Sequence, residues 1–213
     1  MESDYRDRIK SYYNRFAWAY DLGEFFRRGT RSAVVDASGC TNGDRVLEIC
    51  SGTCELALAF TRQNIQTVAV DLAHDMLRFG SRKSKNEELG LVQADAFKLP
   101  FPDRSFKAVV ISLALHHMPE AVQITVLKEM ARCAADRVIT LEWHAPERQI
   151  FRILKGSLIR AMDVSEHLWD WMKQDFPSTC SDAGLIIESR QLHTAGFHRL
   201  TVCKPSRGDC FQE

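Results

Sequence analysis

"VLEICSGTCELAL", residues 46–58, starts as an apolar strand and ends as a helix, with a turn of small residues between them. Strand-to-helix turns of this kind cradle phosphates or cofactors in nucleotide-binding α/β proteins. Glycine lets the backbone turn sharply and lie against the ligand, and the helix N-terminus supplies unpaired N–H groups. Here only Gly52 is glycine, and Cys50 and Cys54 stand where glycine is expected. The stretch therefore points to an α/β fold and asks whether its loop still binds what such loops bind.

Outward from this turn, strand candidates recur at RVLEI (45–49), TVAVD (67–71), LVQAD (91–95), KAVVISLAL (107–115) and RVITLEW (137–143). Continuous apolar runs suit strands buried on both faces of a parallel sheet. Helical patterns lie between them at 55–62, 73–84 and 119–133, the last with Val122, Val126 and Met130 at i, i+4, i+8 and Pro119 at a first-turn position. Helical patterning resumes over 148–183. LIIESRQL (185–192) and FHRLTVCK (197–204), separated by a segment containing Gly196, then read as an antiparallel hairpin. The expected fold is a doubly wound α/β sheet, mostly parallel, closed by this C-terminal hairpin, with helices on both faces.

Composition sets the bounds. The chain has 213 residues, enough for one sizeable domain. Its formal net charge of zero gives no general attraction for nucleic acid or an anionic surface. No apolar run approaches the roughly 18 residues of a membrane span, and MESDYRDRIK lacks the apolar segment of a signal peptide. A cytoplasmic protein is expected. The seven cysteines are odd in number and scattered, without zinc-ligand spacing, so they read as reduced thiols and no metal site is expected.

In a parallel α/β sheet, ligands sit beyond the carboxyl ends of the strands. Those ends carry Glu48, Asp71, Asp95, His116 with His117, and Glu142 with His144. Asp71 follows Glu48 by 23 residues, close to the roughly 20-residue offset at which an acid receives ribose hydroxyls in dinucleotide-binding folds. A carboxylate suits a vicinal diol because it accepts two hydrogen bonds. The alternative for Asp71 is a strand-end residue that caps the following helix; for Asp95 it is a solvated turn.

VLEICSGTC, VAVDLAHDML and LVQADAFKLPFPDRSFKAVVISLALHHMPE together resemble the class I S-adenosylmethionine-dependent methyltransferases, in particular their small-molecule (type 11-like) branch, over residues 44–143. YYNRFAWAYD (12–21) is similar to a segment that precedes the core in quinone-biosynthesis C-methyltransferases and some phospholipid N-methyltransferases. The resemblance implies a Rossmann-like fold and S-adenosylmethionine as cofactor. It places Glu48, Cys50 and Gly52 at the cofactor's amino-acid end, Asp71 on the ribose, and Leu72 and Met76 about the adenine. Asp95 and Ala96 would read the adenine edge, Ser112 and Leu113 would lie beneath the methionine portion, and Tyr12 and Tyr20 would belong to a lid.

The chain departs from the family pattern in two places. Cysteine at 50 and 54 costs mainly steric room if φ stays negative, and on the order of 1 kcal/mol or more if either residue is left-handed. The run KEMARCAADRVITLEW also lacks the Pro and Gly that usually precede the fifth strand, and Asp136 is expected in that turn.

Methyl transfer from a sulfonium is an in-line displacement, so the protein mainly holds acceptor and methyl together in a dry pocket. Where the acceptor must lose a proton, His116, His117, Glu142 and His144 are the candidate bases. The organisation expected is a single domain: an N-terminal helical lid (1–40), the cofactor core (44–143), a helical acceptor region (144–184) and the closing hairpin (185–204). The aromatic and basic N-terminal stretch reads either as a lid that touches a membrane surface or as a helix packed on the sheet. FRILKGSLIRAMDVSEHLWDWM (151–172) is amphipathic and is expected to form the other acceptor wall, with Trp169 and Trp171 lining it. The acceptor expected is small-molecule or lipid-like, such as a quinone precursor or a lipid headgroup, with no nucleic acid and no membrane span. A non-catalytic cofactor-binding scaffold is the alternative that the altered loop raises.

Overall fold

A computed structural model describes residues 28–206 apart from 86, 147, 163 and 164. Tyr12, Tyr20 and most of the expected lid lie outside the described residues. After helix α1 (Arg28–Ser38) come β1 (Arg45–Ile49), α2 (Glu55–Thr61), β2 (Gln66–Asp71), α3 (His74–Lys83), β3 (Leu89–Gln93) and β4 (Phe106–Ser112). A short 3-10 turn (Leu115–His117) leads to α4 (Glu120–Cys133) and β5 (Ala134–Trp143). Helices α5 (Gln149–Met162), α6 (Leu168–Lys173) and α7 (Phe176–Asp182) precede β6 (Leu185–His193) and β7 (His198–Pro205).

The seven strands form one sheet in the order β3-β2-β1-β4-β5-β7-β6. Strands β1 to β5 are parallel, and β7 is antiparallel to both β5 and β6. Alternate residues of the inner strands feed two cores, which is why those strands read as continuous apolar runs. Leu47, Ile49, Val109, Ile111 and Val138 pack with Val126, Leu127 and Met130 of α4 and with Leu168, Trp171 and Phe176. Val46, Ala108, Val110, Ile139 and Leu141 face the other way, onto Val34 and Val35 of α1 and Leu56 and Phe60 of α2. Helices therefore cover both faces.

Two details differ from the sequence expectation. β3 runs over 89–93 rather than 91–95, which leaves Asp95 in the loop beyond the strand; this edge strand is only half-buried and has a weak apolar signature. Asp136 is not in a turn. β5 begins at Ala134, directly after Cys133 ends α4, and a bulge between the pairs Phe106↔Ala134 and Ala108↔Arg137 absorbs the extra residue. The α4–β5 junction needs no loop, and so no Pro or Gly.

The strand order reverses between β1 and β4. At this switch point the following helices diverge to opposite faces, opening a crevice at the carboxyl ends of the strands.

Candidate active site

The loop after β1 contains three left-handed residues, Cys50 (φ 50°), Gly52 (φ 52°) and Cys54 (φ 64°). The two cysteines thus take up the conformation that favours glycine, at about 1 kcal/mol each. Cys54 is fully buried against Ala57, Ala69 and Leu77. Its room comes from Gly80 on α3: a Cβ built on Gly80 would fall 2.9 Å from the Cys54 Cβ and closer still to its Sγ. One missing glycine is therefore matched by a glycine on the next helix. A Cβ on Gly52 would meet nothing within 4 Å, so the backbone there faces open space.

Carboxylates from neighbouring strands hold the loop in place. Gly52 N–H donates to Asp71 Oδ2 at 2.8 Å, and Ala73 N–H donates to Asp71 Oδ1 at 2.8 Å. Asp71 thereby ties the β1 loop to the start of α3. Glu48 Oε2 accepts from Ala57 N–H in the first turn of α2 at 2.7 Å. Burial raises the Asp71 carboxyl above its ordinary value, against the opposing pull of its backbone donors.

An equivalent tie is found on the other side of the crevice. Glu142 Oε1 accepts from Ala114 N–H at 2.8 Å and Leu115 N–H at 2.7 Å, and Glu142 Oε2 lies 2.6 Å from His116 Nδ1. Both side chains are buried. Leu113, at φ 51°, donates its N–H to Leu141 O at 2.7 Å.

Between these two ties lies a cavity with about 1330 Å³ of empty space counted out to its open mouth. It is lined by Glu48, Cys50, Gly52, Asp71, Leu72, Met76, Asp95, Ala96, Ser112 and Leu113, so every expected cofactor residue within the described chain meets at one site. Of the four candidate bases only His117 lines it. His116 and Glu142 form the buried pair beneath, and His144 is beyond the cavity wall, its N–H donating to Phe197 O at 2.8 Å. Burial, then Arg199, Lys155 and Arg190, push the His144 imidazole down to about 4.

Neither Trp169 nor Trp171 reaches this cavity. Trp171 donates Nε1–H to Trp143 O at 2.9 Å and lines a second cavity with Thr140, Arg190 and Arg199. Sequence reasoning missed His198, Arg31, Phe97 and Met118, which also line the first cavity. His198 was within reach of the sequence: pairing the recognised hairpin with β5 sets it opposite Trp143, on which its ring stacks at 4.6 Å.

The Cys50 thiol is held well above its ordinary value by burial and then by Asp71, Glu142, Asp95 and Glu48. The cavity lining carries four carboxylates, Glu48, Glu55, Asp71 and Asp95, against one guanidinium, Arg31, so the site is electronegative and suits a cationic ligand.

The family described as "Methyltransferase domain" matches residues 46–137. A demethylmenaquinone methyltransferase of Geobacillus kaustophilus is 33% identical over 213 aligned residues, covering 89% of this chain and 90% of that protein. The chain belongs to the class I S-adenosylmethionine-dependent methyltransferases. A demethylmenaquinone methyltransferase of Beutenbergia cavernae is 30% identical and covers 80% of this methyltransferase and 75% of its own length. Among solved structures, magnesium protoporphyrin IX methyltransferase from Synechocystis PCC 6803 with bound SAH superposes with a TM-score of 0.73. It covers 95% of this chain and 99% of its own at 16% identity, a likeness of fold.

Proposed function

We propose that this methyltransferase moves the methyl group of S-adenosylmethionine to a small hydrophobic or amphiphilic acceptor of the quinone-precursor type, in the cavity over β1 and β4. The observation that carries the reading is the convergence of ten cofactor-type residues on one cavity lined by four carboxylates. The names of the relatives support the acceptor class.

The residues fit the cofactor. Its sulfonium and ammonium are positive, and Glu48, Glu55, Asp71 and Asp95 line the cavity. In this reading Glu48, Cys50 and Gly52 face the amino-acid end, where Gly52 leaves the approach open. The oxygens of Asp71 keep lone pairs for the ribose diol after accepting from Gly52 and Ala73. Leu72 and Met76 flank the adenine, Asp95 and Ala96 meet its edge, and Ser112 and Leu113 lie beneath the methionine portion. Residues 44–143 form the cofactor core. Among the described residues none of 144–184 lines the cavity; the region supports it from behind, through Ser165 Oγ–H on His116 O (2.7 Å) and Trp171 on Trp143 O.

The bound cofactor supplies an electrophilic methyl on positive sulfur, with a neutral leaving group. The protein contributes position and dryness: apolar walls from Leu72, Met76, Phe97, Leu113 and Met118 exclude water from the reacting atoms. His117 is the group placed to take a proton from an acidic acceptor, while Glu142 and His116 position the loop that carries it.

The test is titration calorimetry with S-adenosylmethionine and S-adenosylhomocysteine, followed by transfer of labelled methyl to a demethylated naphthoquinol in detergent. Micromolar binding with turnover is expected. Absence of binding up to millimolar cofactor overturns the assignment of the cavity, and binding without turnover on quinols overturns the acceptor class.

A further inference from the structure

Helix α5 is built inside out. Its inward side carries Arg152, Lys155, Gly156 and Ile159, whereas Ile150 (66% exposed), Phe151 (53%), Ile153 (51%), Leu154 (63%) and Leu158 (52%) face solvent. Arg152 Nε–H donates to Pro146 O at 3.0 Å. Lys155 Nζ donates to Gly196 O and lies 5.0 Å from the Phe197 ring centroid. The half-exposed Trp169 of α6 seats against Gly156, where a Cβ would fall 2.5 Å from its ring. Five large apolar side chains thus form one outward patch with an indole at its edge, more than scattered surface residues present.

Two observations say what covers it. The first is charge: Arg148 and Arg160 are exposed near the two ends of the helix, and residues 148–162 contain no acidic residue, in a chain whose formal net charge is zero. Two copies of this helix laid face to face would bring like charges together, whereas an anionic surface complements them. The second is position: Lys155 anchors α5 to the β6–β7 turn, and that turn runs directly into His198 at the cavity wall. Helix α5 thus packs on the turn that leads into a residue of the cavity wall.

We propose that the outward face of α5 docks this methyltransferase on an anionic bilayer, with Ile150, Phe151, Ile153, Leu154 and Leu158 entering the headgroup–acyl boundary. Apolar burial supplies the partition, and the exposed Arg148 and Arg160 select anionic lipid. The use of this surface rests on the proposed lipid-like acceptor, which docking would bring to the cavity from the membrane phase.

The experiment is co-sedimentation of the full chain with vesicles of phosphatidylcholine alone and of equimolar phosphatidylcholine and phosphatidylglycerol. Binding to the anionic vesicles is expected, and it should fall about tenfold or more in Phe151→Asp/Leu154→Asp. Both positions are exposed, so that variant should keep its circular dichroism melt and its calorimetric affinity for S-adenosylmethionine. Failure of the parent protein to bind, or equal binding by the variant, overturns the proposal. Self-association in sedimentation velocity, without vesicle binding and abolished by the same variant, would give the face to a second copy and also overturn it. Vesicle binding is read without turnover, so failure of the cofactor or acceptor reading would show separately in calorimetry and in the naphthoquinol assay.

Discussion

Gly80→Ala provides a sharp test of how this chain tolerates cysteine in a glycine loop. In an ordinary helix the change is stabilising by about 1 kcal/mol. Here the new methyl would meet Cys54, with Cβ atoms 2.9 Å apart, in a space already closed by Ala57, Ala69 and Leu77. Overpacking of this kind costs about 1–3 kcal/mol, so the net effect should be a loss of about 1 kcal/mol. In a Cys54→Gly background the clash is gone, and the same substitution should stabilise by about 0.5–1 kcal/mol. Cys54→Gly alone should lie near zero, since relief of about 1 kcal/mol of left-handed strain offsets the loss of a small buried side chain. The coupling energy of the cycle is then about 2 kcal/mol, well outside the additivity expected of independent sites. Equilibrium urea unfolding of the four proteins reads it as shifts in midpoint at constant slope. If Gly80→Ala changes stability equally in both backgrounds, to within about 0.5 kcal/mol, the argument that Gly80 makes room for Cys54 is wrong.

Asp71→Ala should weaken S-adenosylmethionine binding by about 1–3 kcal/mol, the scale of hydrogen bonds to a charged group, and unchanged calorimetric affinity would remove Asp71 from the site. Cys50 lines the cavity whereas Cys54 does not, so Cys50→Gly should tighten cofactor binding and Cys54→Gly should leave it within about twofold; the reverse order in the same titrations would refute the placement. Glu142→Leu strips partners from Ala114 N–H, Leu115 N–H and His116 in a buried setting, and urea unfolding should show a loss of about 3 kcal/mol. His144, pushed down from 6.5 to about 4, contributes stability while it is neutral. That contribution is complete above pH 6.5, declines as pH falls and is lost by about pH 4. The urea midpoint of His144→Gln should therefore fall less steeply than that of the parent protein across this window, and parallel profiles would show that the imidazole is not the source.

Inner strands were legible because burial on both faces leaves mainly apolar residues in the middle of β1, β2, β4 and β5. β3 drifted by two residues because an edge strand with half-exposed residues carries little pattern. The α4–β5 junction was misplaced at Asp136 because a bulge does there what a loop usually does, and a bulge leaves no compositional mark. Left-handed φ at Cys50 and Cys54 was foreshadowed by the glycine positions they occupy, but the compensation at Gly80 needed three dimensions. In sequence Gly80 is only a poor helix former. His198 is the reverse case, hidden until the hairpin is set in register with Trp143.

The strand-end acids show why a ligand-facing reading and a structural reading of one residue need not compete. Asp71 fastens the β1 loop from β2, and Glu142 fastens the β4 loop from β5, so each wall of the crevice is held by the strand outside it. Those loops carry the strained residues, Cys50, Gly52 and Cys54 on one side and Leu113 on the other. Strain of about 1 kcal/mol per residue persists only where surrounding bonds over-determine it. A strand-end carboxylate is well suited to this, because one oxygen can accept from a loop N–H while lone pairs remain for a ligand. The backbone cradle and its electronegative character therefore have the same origin, and neutralising either acid should loosen the loop and weaken the attraction for a cationic cofactor together.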